Sequence, residues 1–157
     1  MTDELVKCAE VDGCATLTLN RPGTLNALSI PMFRRLDSHI SRIEKQIDSI
    51  GLVIVRGNGK CFSAGNDLTA IDGGEVGDTP DFAAEVVNRL ANLPQPVISA
   101  VHGYCYTGAL ELALAADLII AAESAKFTDT HSRWSMTPRW GMSQRLPRRV
   151  GRSRRWR

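Results

Sequence analysis

Apolar residues in the first third of the chain alternate with polar ones and then recur at helical spacing. Between residues 4 and 20 the alternation continues on both sides of Asp12-Gly13, a pair that favours a tight turn, so two short strands joined as a hairpin are predicted. From Ile30 to Ile50 apolar residues recur at steps of three and four, which predicts one long amphipathic helix. Ser29 is placed to be its N-cap and Gly51 its C-cap.

Continuous apolar runs then alternate with segments of helical spacing. The predicted buried strands are 52–55, 97–101 and 118–122, and a shorter strand is predicted at 126–128. Thr79-Pro80 caps a second helix, which Pro94 terminates, and a third helix is predicted from Gly108 to Ala116. Strands and helices therefore alternate, which is typical of an α/β fold with a largely parallel sheet.

Size and composition narrow the class of protein. A chain of 157 residues predicts one domain. The longest apolar runs are far shorter than a membrane span, and Met1-Thr2-Asp3-Glu4 does not open a signal peptide. We therefore expect no membrane partner. The cysteines at 8, 14, 61 and 105 show no paired metal spacing, so we expect reduced thiols in a cytoplasmic protein and no metal site.

Positive charge is concentrated at the C-terminal end. Seven of the 19 basic residues are arginines within the last thirteen positions, and no acidic residue lies among them. Such a tail can bind nucleic acid, in which case binding would be sensitive to salt and lost on deletion of the tail. A solvated, frayed terminus is the simpler interpretation and the one we favour, so no nucleic-acid partner is expected.

One carboxylate stands alone in the apolar helix predicted after Gly108. Glu111 follows that glycine by three residues, so its side chain lies over the turn that Gly108 begins. Free N–H groups at a helix start favour negative charge, and the carboxyl beside them can move a proton. Either Glu111 is catalytic, or it only satisfies a neighbouring backbone group; the motif alone leaves both interpretations open.

Two loops carry further candidates. Residues 62–68 follow a predicted strand with small residues, and ligands of open α/β sheets bind beyond strand ends. Residues 73–77 contain three glycines and are interpreted as a surface loop or, less simply, as a lid. His131 lies in a polar and aromatic loop after Phe127, where it is either an acid, base or donor, or a hydrogen-bonded loop histidine.

The motifs together resemble the crotonase superfamily, the enoyl-CoA hydratases and isomerases. The resemblance runs from about residue 4 to residue 155 and is carried by Asn20-Arg21-Pro22, Leu25-Asn26-Ala27-Leu28, Phe62 to Leu68, His102-Gly103-Tyr104, Glu111-Leu112-Ala113, Pro138, Gly141, Gln144-Arg145-Leu146 and Val150-Gly151. It implies a spiral of ββα units and acyl-CoA thioesters as substrates, with no cofactor besides the coenzyme A that the substrate carries.

The resemblance also implies a binding site. The backbone N–H groups of Asn66 and Gly108 would form an oxyanion hole for the thioester oxygen of an enolate. Ala64 and the segment from Asn66 through Asp67 to Leu68, together with Gly108, would bind coenzyme A and substrate. These positions agree with the small, glycine-flanked loop and helix start noted above.

Glu111 matches the first catalytic glutamate of the family, and His131 stands where hydratases carry a second glutamate. A glutamate and a histidine could together activate water, or could support isomerisation or another enolate reaction. The function expected from the resemblance is therefore that of an enoyl-CoA hydratase/isomerase-like protein of fatty-acid metabolism, with Glu111 and His131 as its catalytic residues. Thr69 also replaces a basic residue that often helps to bind the phosphates of coenzyme A.

Family members continue beyond the point that corresponds to Arg157. We therefore expect residues 1–144 to form the N-terminal crotonase-like core and residues 145–157 to begin a C-terminal helical segment that is cut off. The alternative function is an inactive truncated remnant, or one half of a split protein. Either self-association or a separate C-terminal half is the partner that this hypothesis implies.

Overall fold

Seven strands and five α-helices lie within residues 4–151, the part of the chain that the computed structural model describes. The strands are β1 (Val6–Val11), β2 (Cys14–Leu19), β3 (Leu52–Gly57), β4 (Val97–Val101), β5 (Tyr104–Tyr106), β6 (Leu118–Ala121) and β7 (Lys126–Thr128). The α-helices are α1 (Ile30–Ile43), α2 (Leu68–Asp72), α3 (Phe82–Ala91), α4 (Gly108–Leu114) and α5 (Met142–Val150). Short 3₁₀ helices cover Pro22–Thr24 and His131–Trp134.

The hairpin prediction is confirmed. Strands β1 and β2 pair antiparallel, with Val11 opposite Cys14. Both turn residues have positive φ, 48° at Asp12 and 75° at Gly13, as a two-residue turn between twisted strands requires. The hairpin forms one edge of the larger sheet, because β1 pairs only with β2 among the described strands.

The sheet order confirms a largely parallel α/β arrangement. The larger sheet runs β1-β2-β3-β4-β6, and every pair beyond the hairpin is parallel. A second, two-stranded parallel sheet joins β5 and β7. Helix α4 contacts β4, β5 and α5, so it lies where the two sheets meet. The hydrophobic pattern did not predict β5, α2 or α5.

The core lies between the larger sheet and α1 and α3. Buried and partly exposed positions alternate along β2, as expected for a strand with one covered face. The buried side of α1 contributes Phe33, Leu36 and Ile40, each at most 1 % exposed. Helices α1 and α3 also contact each other, and buried residues of both helices belong to the same core.

Helix α1 is shorter than predicted. It ends at Ile43, and the chain turns through residues 44–49 before β3 begins. Ile47 continues the apolar spacing but is 56 % exposed, whereas Ile50 is buried by way of the turn. The N–H of Gly51 bonds to the Gly13 carbonyl at 2.8 Å, so this residue leads into the sheet and the predicted C-cap is wrong.

The other predicted helices also differ at their ends. Helix α3 begins at Phe82 with Asp81 as N-cap, and not at Thr79-Pro80, and it ends at Ala91. Helix α4 ends at Leu114 and not at Ala116. Each difference shortens a helix, because periodic spacing persists through turns that no longer have helical hydrogen bonds.

The buried strand predicted at 118–122 is exposed. Strand β6 is found at 118–121, but it is the edge strand of the larger sheet. Leu118 is 58 % exposed and Ile120 is 60 % exposed, so their face of β6 is uncovered in the described part of the protein. A continuous apolar run resembles a buried strand in sequence whether or not another layer covers it.

Part of the arginine-rich end is ordered in helix α5, which crosses the division predicted between residues 144 and 145. The Arg149 guanidinium donates hydrogen bonds to the carbonyls of Ala116 and Asp117, and Arg145 donates to the Trp140 carbonyl. These two arginine side chains are therefore not free, although Arg149 is exposed to solvent as expected for this end of the chain. The predicted tail beyond Gly151 lies outside the described residues. In residues 4–151 no helix combines the length and hydropathy of a membrane span.

Candidate active site

Glu111 lies in the first turn of α4 and is 1 % exposed. Its Oε1 accepts hydrogen bonds from the backbone N–H of Trp140 at 2.7 Å and of Met142 at 3.1 Å. The carboxyl therefore fixes the segment before α5, and it does satisfy backbone groups, though not those of its own helix. Its other oxygen, Oε2, is left to face His131.

Burial changes the chemistry of this carboxyl. Loss of water raises the pKa of Glu111, although the N–H groups of Met142 and Trp140 and the charge of His131 act in the opposite direction. A raised pKa favours the protonated acid at a higher pH than an exposed glutamate would allow. A protonated carboxyl can donate a proton to substrate, which a permanently ionised one cannot.

His131 is 7 % exposed and lies at the start of the second 3₁₀ helix. Its Nε2 is 3.6 Å from Glu111 Oε2, and its Nδ1 is 2.6 Å from Asp129 Oδ1. The structure thus brings together the two residues that the sequence predicted to be catalytic. It also adds Asp129, which had no predicted role. Since 3.6 Å exceeds a normal hydrogen bond, Glu111 and His131 do not bond each other directly.

The backbone positions predicted to form the oxyanion hole are close together. An added Cβ on Gly65 would lie 2.7 Å from the Tyr106 carbonyl and 3.6 Å from the Gly108 nitrogen, so the loop before Asn66 packs against the start of α4. Gly65 itself has φ 102°. Within residues 4–151, neither the N–H of Asn66 nor that of Gly108 donates a hydrogen bond.

Thr107 shapes the start of α4. It has φ 54°, an unusual value for a β-branched residue and one that costs of order 1–3 kcal/mol. Its N–H bonds to the Thr128 carbonyl at 2.8 Å, and its hydroxyl lies 2.6 Å from the Thr130 hydroxyl. These contacts hold the unusual backbone in place and join the start of α4 to the loop that carries His131.

Trp140 covers the same helix start from the other side. A Cβ on Gly108 would lie 2.5 Å from Cζ3 of the indole, so only glycine fits beneath this ring. The ring packs edge-on against Phe33, with centroids 4.9 Å apart and planes at 77°. Trp140 thus contacts Gly108 through its indole and Glu111 through its backbone N–H. No sequence signal assigned this role, because the contacts join residues far apart in the chain.

An open cleft of about 750 Å³ adjoins these groups. Four predicted site residues are among the described residues that line it: Asn66, Asp67, Glu111 and His131. Apolar side chains form part of its wall: Leu28, Ile30, Phe33, Phe82 and Trp140. Ala64, Leu68 and Gly108 are not among the lining residues. Within residues 4–151 no group of three or more His, Cys, Asp or Glu side chains is placed to hold a metal ion.

Asp67 is engaged in structural contacts. Its Oδ2 accepts a hydrogen bond from Arg21 at 2.7 Å, and its Oδ1 accepts one from the Thr69 hydroxyl at 2.6 Å. The hydrogen bonds from Thr69 and Arg21 lower the pKa of Asp67, so it is a carboxylate at neutral pH. This ion pair connects the loop after β2 to the loop after β3.

The glycine-flanked loop and the buried glutamate invite comparison with known proteins. The family profile described as "Enoyl-CoA hydratase/isomerase" matches residues 10–155. The chain belongs to the enoyl-CoA hydratase/isomerase family. Membership of this family confirms the crotonase resemblance that the sequence motifs carried.

Several members of the enoyl-CoA hydratase/isomerase family are similar over nearly the whole chain. "Probable enoyl-CoA hydratase 1, peroxisomal" of Arabidopsis thaliana is 39% identical over 142 residues, which are 90% of this chain and 53% of that protein. "1,2-epoxyphenylacetyl-CoA isomerase" of Escherichia coli K12 is 39% identical over 149 residues, 90% of this chain and 56% of the other. The chain therefore spans little more than half the length of these relatives.

Solved structures confirm the crotonase-like fold of this family member. The crystal structure of an enoyl-CoA hydratase from Bacillus anthracis superposes with a TM-score of 0.88 at 30% identity, covering 96% of this chain and 60% of that one. An enoyl-CoA hydratase structure from Geobacillus kaustophilus gives a TM-score of 0.84 at 27% identity, covering 96% of this chain and 59% of that one. The described elements thus correspond to a part of those chains.

Proposed function

We propose that the protein acts on acyl-CoA thioesters as an enoyl-CoA hydratase/isomerase, with Glu111 as the acid/base. The observation that carries this function is a buried carboxyl whose Oε2 faces His131 in an open cleft, while its Oε1 is held by two backbone N–H groups. A carboxyl fixed in this way, with a raised pKa, is suited to proton transfer at the carbon beside a thioester.

The N–H groups of Asn66 and Gly108 form the oxyanion hole in this proposal. Support comes from their lack of hydrogen-bond acceptors among the described residues and from the close approach of their two segments. Donors aimed at the thioester oxygen stabilise the enolate more than the ground state, and the loss of one donor typically costs about 3 kcal/mol.

Water addition and double-bond migration can both use the Glu111 and His131 pair. A water molecule about 2.8 Å from each of Oε2 and Nε2 is geometrically compatible with their 3.6 Å separation. Glu111 would protonate the carbon next to the thioester, and His131 would accept the proton from water. Without that water, the same pair could move a proton between two carbons of the substrate.

The remaining substrate contacts follow the family resemblance. Ala64 and the segment from Asn66 through Asp67 to Leu68 would bind coenzyme A, with Gly108 at the thioester. The apolar cleft wall, which includes Phe33 and Phe82, suits an acyl group. The proposal includes no separate cofactor. It also places the protein in the cytoplasm, a reducing compartment that its four free cysteines suit.

A second candidate is an inactive member, or one half of an enzyme that needs a C-terminal partner. The observation that favours it is the exposed apolar surface on two strands: Leu118 and Ile120 of β6 are uncovered, and Phe127 of β7 is 43 % exposed. In this case the protein binds acyl-CoA without turnover, self-associates, or gains activity when the partner is supplied.

Turnover of crotonyl-CoA tests the two candidates. We expect Glu111→Gln to lower the rate by at least about 10²-fold and to retain binding of butanoyl-CoA, which lacks the double bond. Glu123→Gln is the matched control, because Glu123 is exposed and is not among the described residues that line the cleft. Near-wild-type turnover in Glu111→Gln would contradict its assigned role. Thioester binding without any wild-type turnover would favour the second candidate.

A further inference from the structure

Asp129 lies beside the proposed catalytic pair without a role in it. Its Oδ1 accepts a hydrogen bond from the backbone N–H of His131 at 3.0 Å and lies 2.6 Å from Nδ1 of the same residue. An ionised carboxylate can only accept, so the short contact requires a proton on Nδ1. In neutral His131 the lone pair then lies on Nε2, the nitrogen that is 3.6 Å from Glu111 Oε2.

We propose that Asp129 is a positioning residue that holds His131 in the Nδ1–H tautomer, so that Nε2 serves as the base opposite Glu111. Resting on the function proposed above, this assignment adds a third member to the site. Asp129 is half-exposed and does not touch the cleft in the described structure, so it acts through His131 and is not itself catalytic.

The segment that carries Asp129 is fixed by independent contacts. The Thr107 hydroxyl lies 2.6 Å from the Thr130 hydroxyl and also accepts a hydrogen bond from the backbone N–H of Thr130 at 3.3 Å. The His131 carbonyl accepts a hydrogen bond from Met136 N–H at 3.0 Å. These contacts fix the backbone on both sides of His131. The Asp129 carboxylate is therefore not needed to position the chain, and its contact with Nδ1 can determine the tautomer.

The arrangement balances the protons of water addition. Water gives its oxygen to the β-carbon of the enoyl group and its proton to Nε2, while Glu111 gives its proton to the α-carbon. The imidazolium that forms faces two carboxyl groups, Asp129 at Nδ1 and the newly ionised Glu111 at Nε2. Return of the proton from Nε2 to Oε2 restores the starting state.

Other charged groups adjoin the pair. Arg145 of α5 interacts with the Glu111 charge, and Arg139 lines the cleft. Arg139 is itself paired with Asp81 at 2.6 Å, and Arg145 bonds to the Trp140 carbonyl. Neither cation contacts the imidazole, so Asp129 is the charged group that selects its tautomer.

A purely structural role for Asp129 makes a different prediction. In that case the carboxylate only caps the 3₁₀ helix through the His131 N–H, and its loss lowers stability without changing the tautomer. Asp129→Ser retains an oxygen for this N–H on a side chain one bond shorter than the carboxylate that contacts Nδ1, whereas Asp129→Ala removes every acceptor. Comparing the two variants therefore separates capping from control of the imidazole.

The test is ¹⁵N NMR of the imidazole nitrogens together with turnover of crotonyl-CoA. The chain has 3 histidines, so His131→Asn assigns the His131 signals. We expect Nδ1 protonated and Nε2 unprotonated in the neutral wild-type side chain, and a shift toward the Nε2–H tautomer in Asp129→Ala. In the same variant kcat should fall by about 10²-fold with little change in KM. Asp48→Asn, at an exposed position, is the control.

The outcomes separate this inference from the proposed function. An unchanged tautomer in Asp129→Ala overturns the positioning role, even if the wild-type protein turns over substrate. Wild-type protein with the expected tautomer but without thioester turnover refutes the proposed function and leaves the control of His131 by Asp129 in place. If Asp129→Ala does not fold, Asp129→Ser carries the test, because its shorter hydroxyl can still accept from the His131 N–H: an unchanged tautomer there overturns the proposal, and a shift toward the Nε2–H tautomer at wild-type stability supports it.

Discussion

The contact between Gly108 and Trp140 supports a quantitative prediction for Gly108→Ala. The added Cβ would lie 2.5 Å from Cζ3 and 3.0 Å from Cη2 of the indole. Carbon atoms in favourable contact are about 3.5–4.0 Å apart, so the ring must move by roughly 1 Å. Movement of this size in a packed interior typically costs about 1–3 kcal/mol. We expect Gly108→Ala to lower the free energy of unfolding by that amount.

The displacement should also reach the site. Trp140 donates its backbone N–H to Glu111 and packs against Phe33, so a moved ring disturbs both the carboxyl and the cleft wall. We therefore expect turnover of crotonyl-CoA to fall in Gly108→Ala by more than the loss of folded protein explains. Urea unfolding followed by circular dichroism gives the stability change, and initial rates at saturating substrate give kcat.

A matched control and a double mutant test the clash between the added Cβ and the Trp140 indole. Gly23→Ala is the control, because a Cβ there has no atom within 4 Å. In a Trp140→Leu background the clash is absent, so Gly108→Ala should be neutral, or stabilising by up to about 1 kcal/mol through helix propensity. A cost for Gly108→Ala that equals the Gly23→Ala value, or that persists in the Trp140→Leu background, would refute the proposed clash.

Three further predictions concern single side chains. Because the folded pKa of Glu111 is raised above its usual 4.5, this side chain holds a proton in the native state above that pH, and its contribution to wild-type stability falls as pH increases from there. The stability of Glu111→Gln minus that of wild type should therefore grow between pH 4 and pH 8 in urea melts; a constant difference would count against the raised pKa. His131→Gln should lower kcat for crotonyl-CoA by about 10²-fold, and His131→Glu should retain more activity because a base remains; equal rates in the two variants would contradict this. Arg149→Met should lower the free energy of unfolding by about 1 kcal/mol, because the carbonyls of Ala116 and Asp117 lose their donor. The Arg148 side chain makes no hydrogen bond within the described residues, so Arg148→Met should leave the thermal melt unchanged.

Sequence patterns predicted the local elements well and their surroundings poorly. The Asp12-Gly13 hairpin follows from turn chemistry that acts within a few residues, and β1 and β2 pair around it as predicted. The exposure of Leu118 could not be predicted, because burial depends on whether a distant element covers the strand. The end of α1 was missed for a related reason: Ile50 is buried through a turn that places it on the core side, so its helical spacing was misleading.

In the candidate site, too, residues with a local sequence signal were predicted, whereas residues whose roles depend on distant contacts were missed. Glu111 could be predicted as unusual, since a lone carboxylate in an apolar helix is a local signal. Its neighbour His131 was predicted from the order of motifs that the family resemblance supplied. Trp140 and Thr107 were missed because their roles depend on contacts across the fold: an indole against a helix-start glycine, and a hydroxyl 2.6 Å from Thr130. Asp129 is only two residues from His131, and an Asp-x-His spacing was a signal that could have drawn attention to it.

The central claim is that the site forms an enolate of an acyl-CoA thioester through proton transfer at Glu111. Exchange of the α-protons of butanoyl-CoA with deuterium in D₂O, followed by NMR, tests this step directly, because it requires neither a double bond nor water addition. We predict saturable exchange with the wild-type protein, loss of exchange in Glu111→Gln, and wild-type exchange in Glu123→Gln. Bound butanoyl-CoA whose α-protons do not exchange above the buffer rate, or equal exchange in wild type and Glu111→Gln, would contradict the claim.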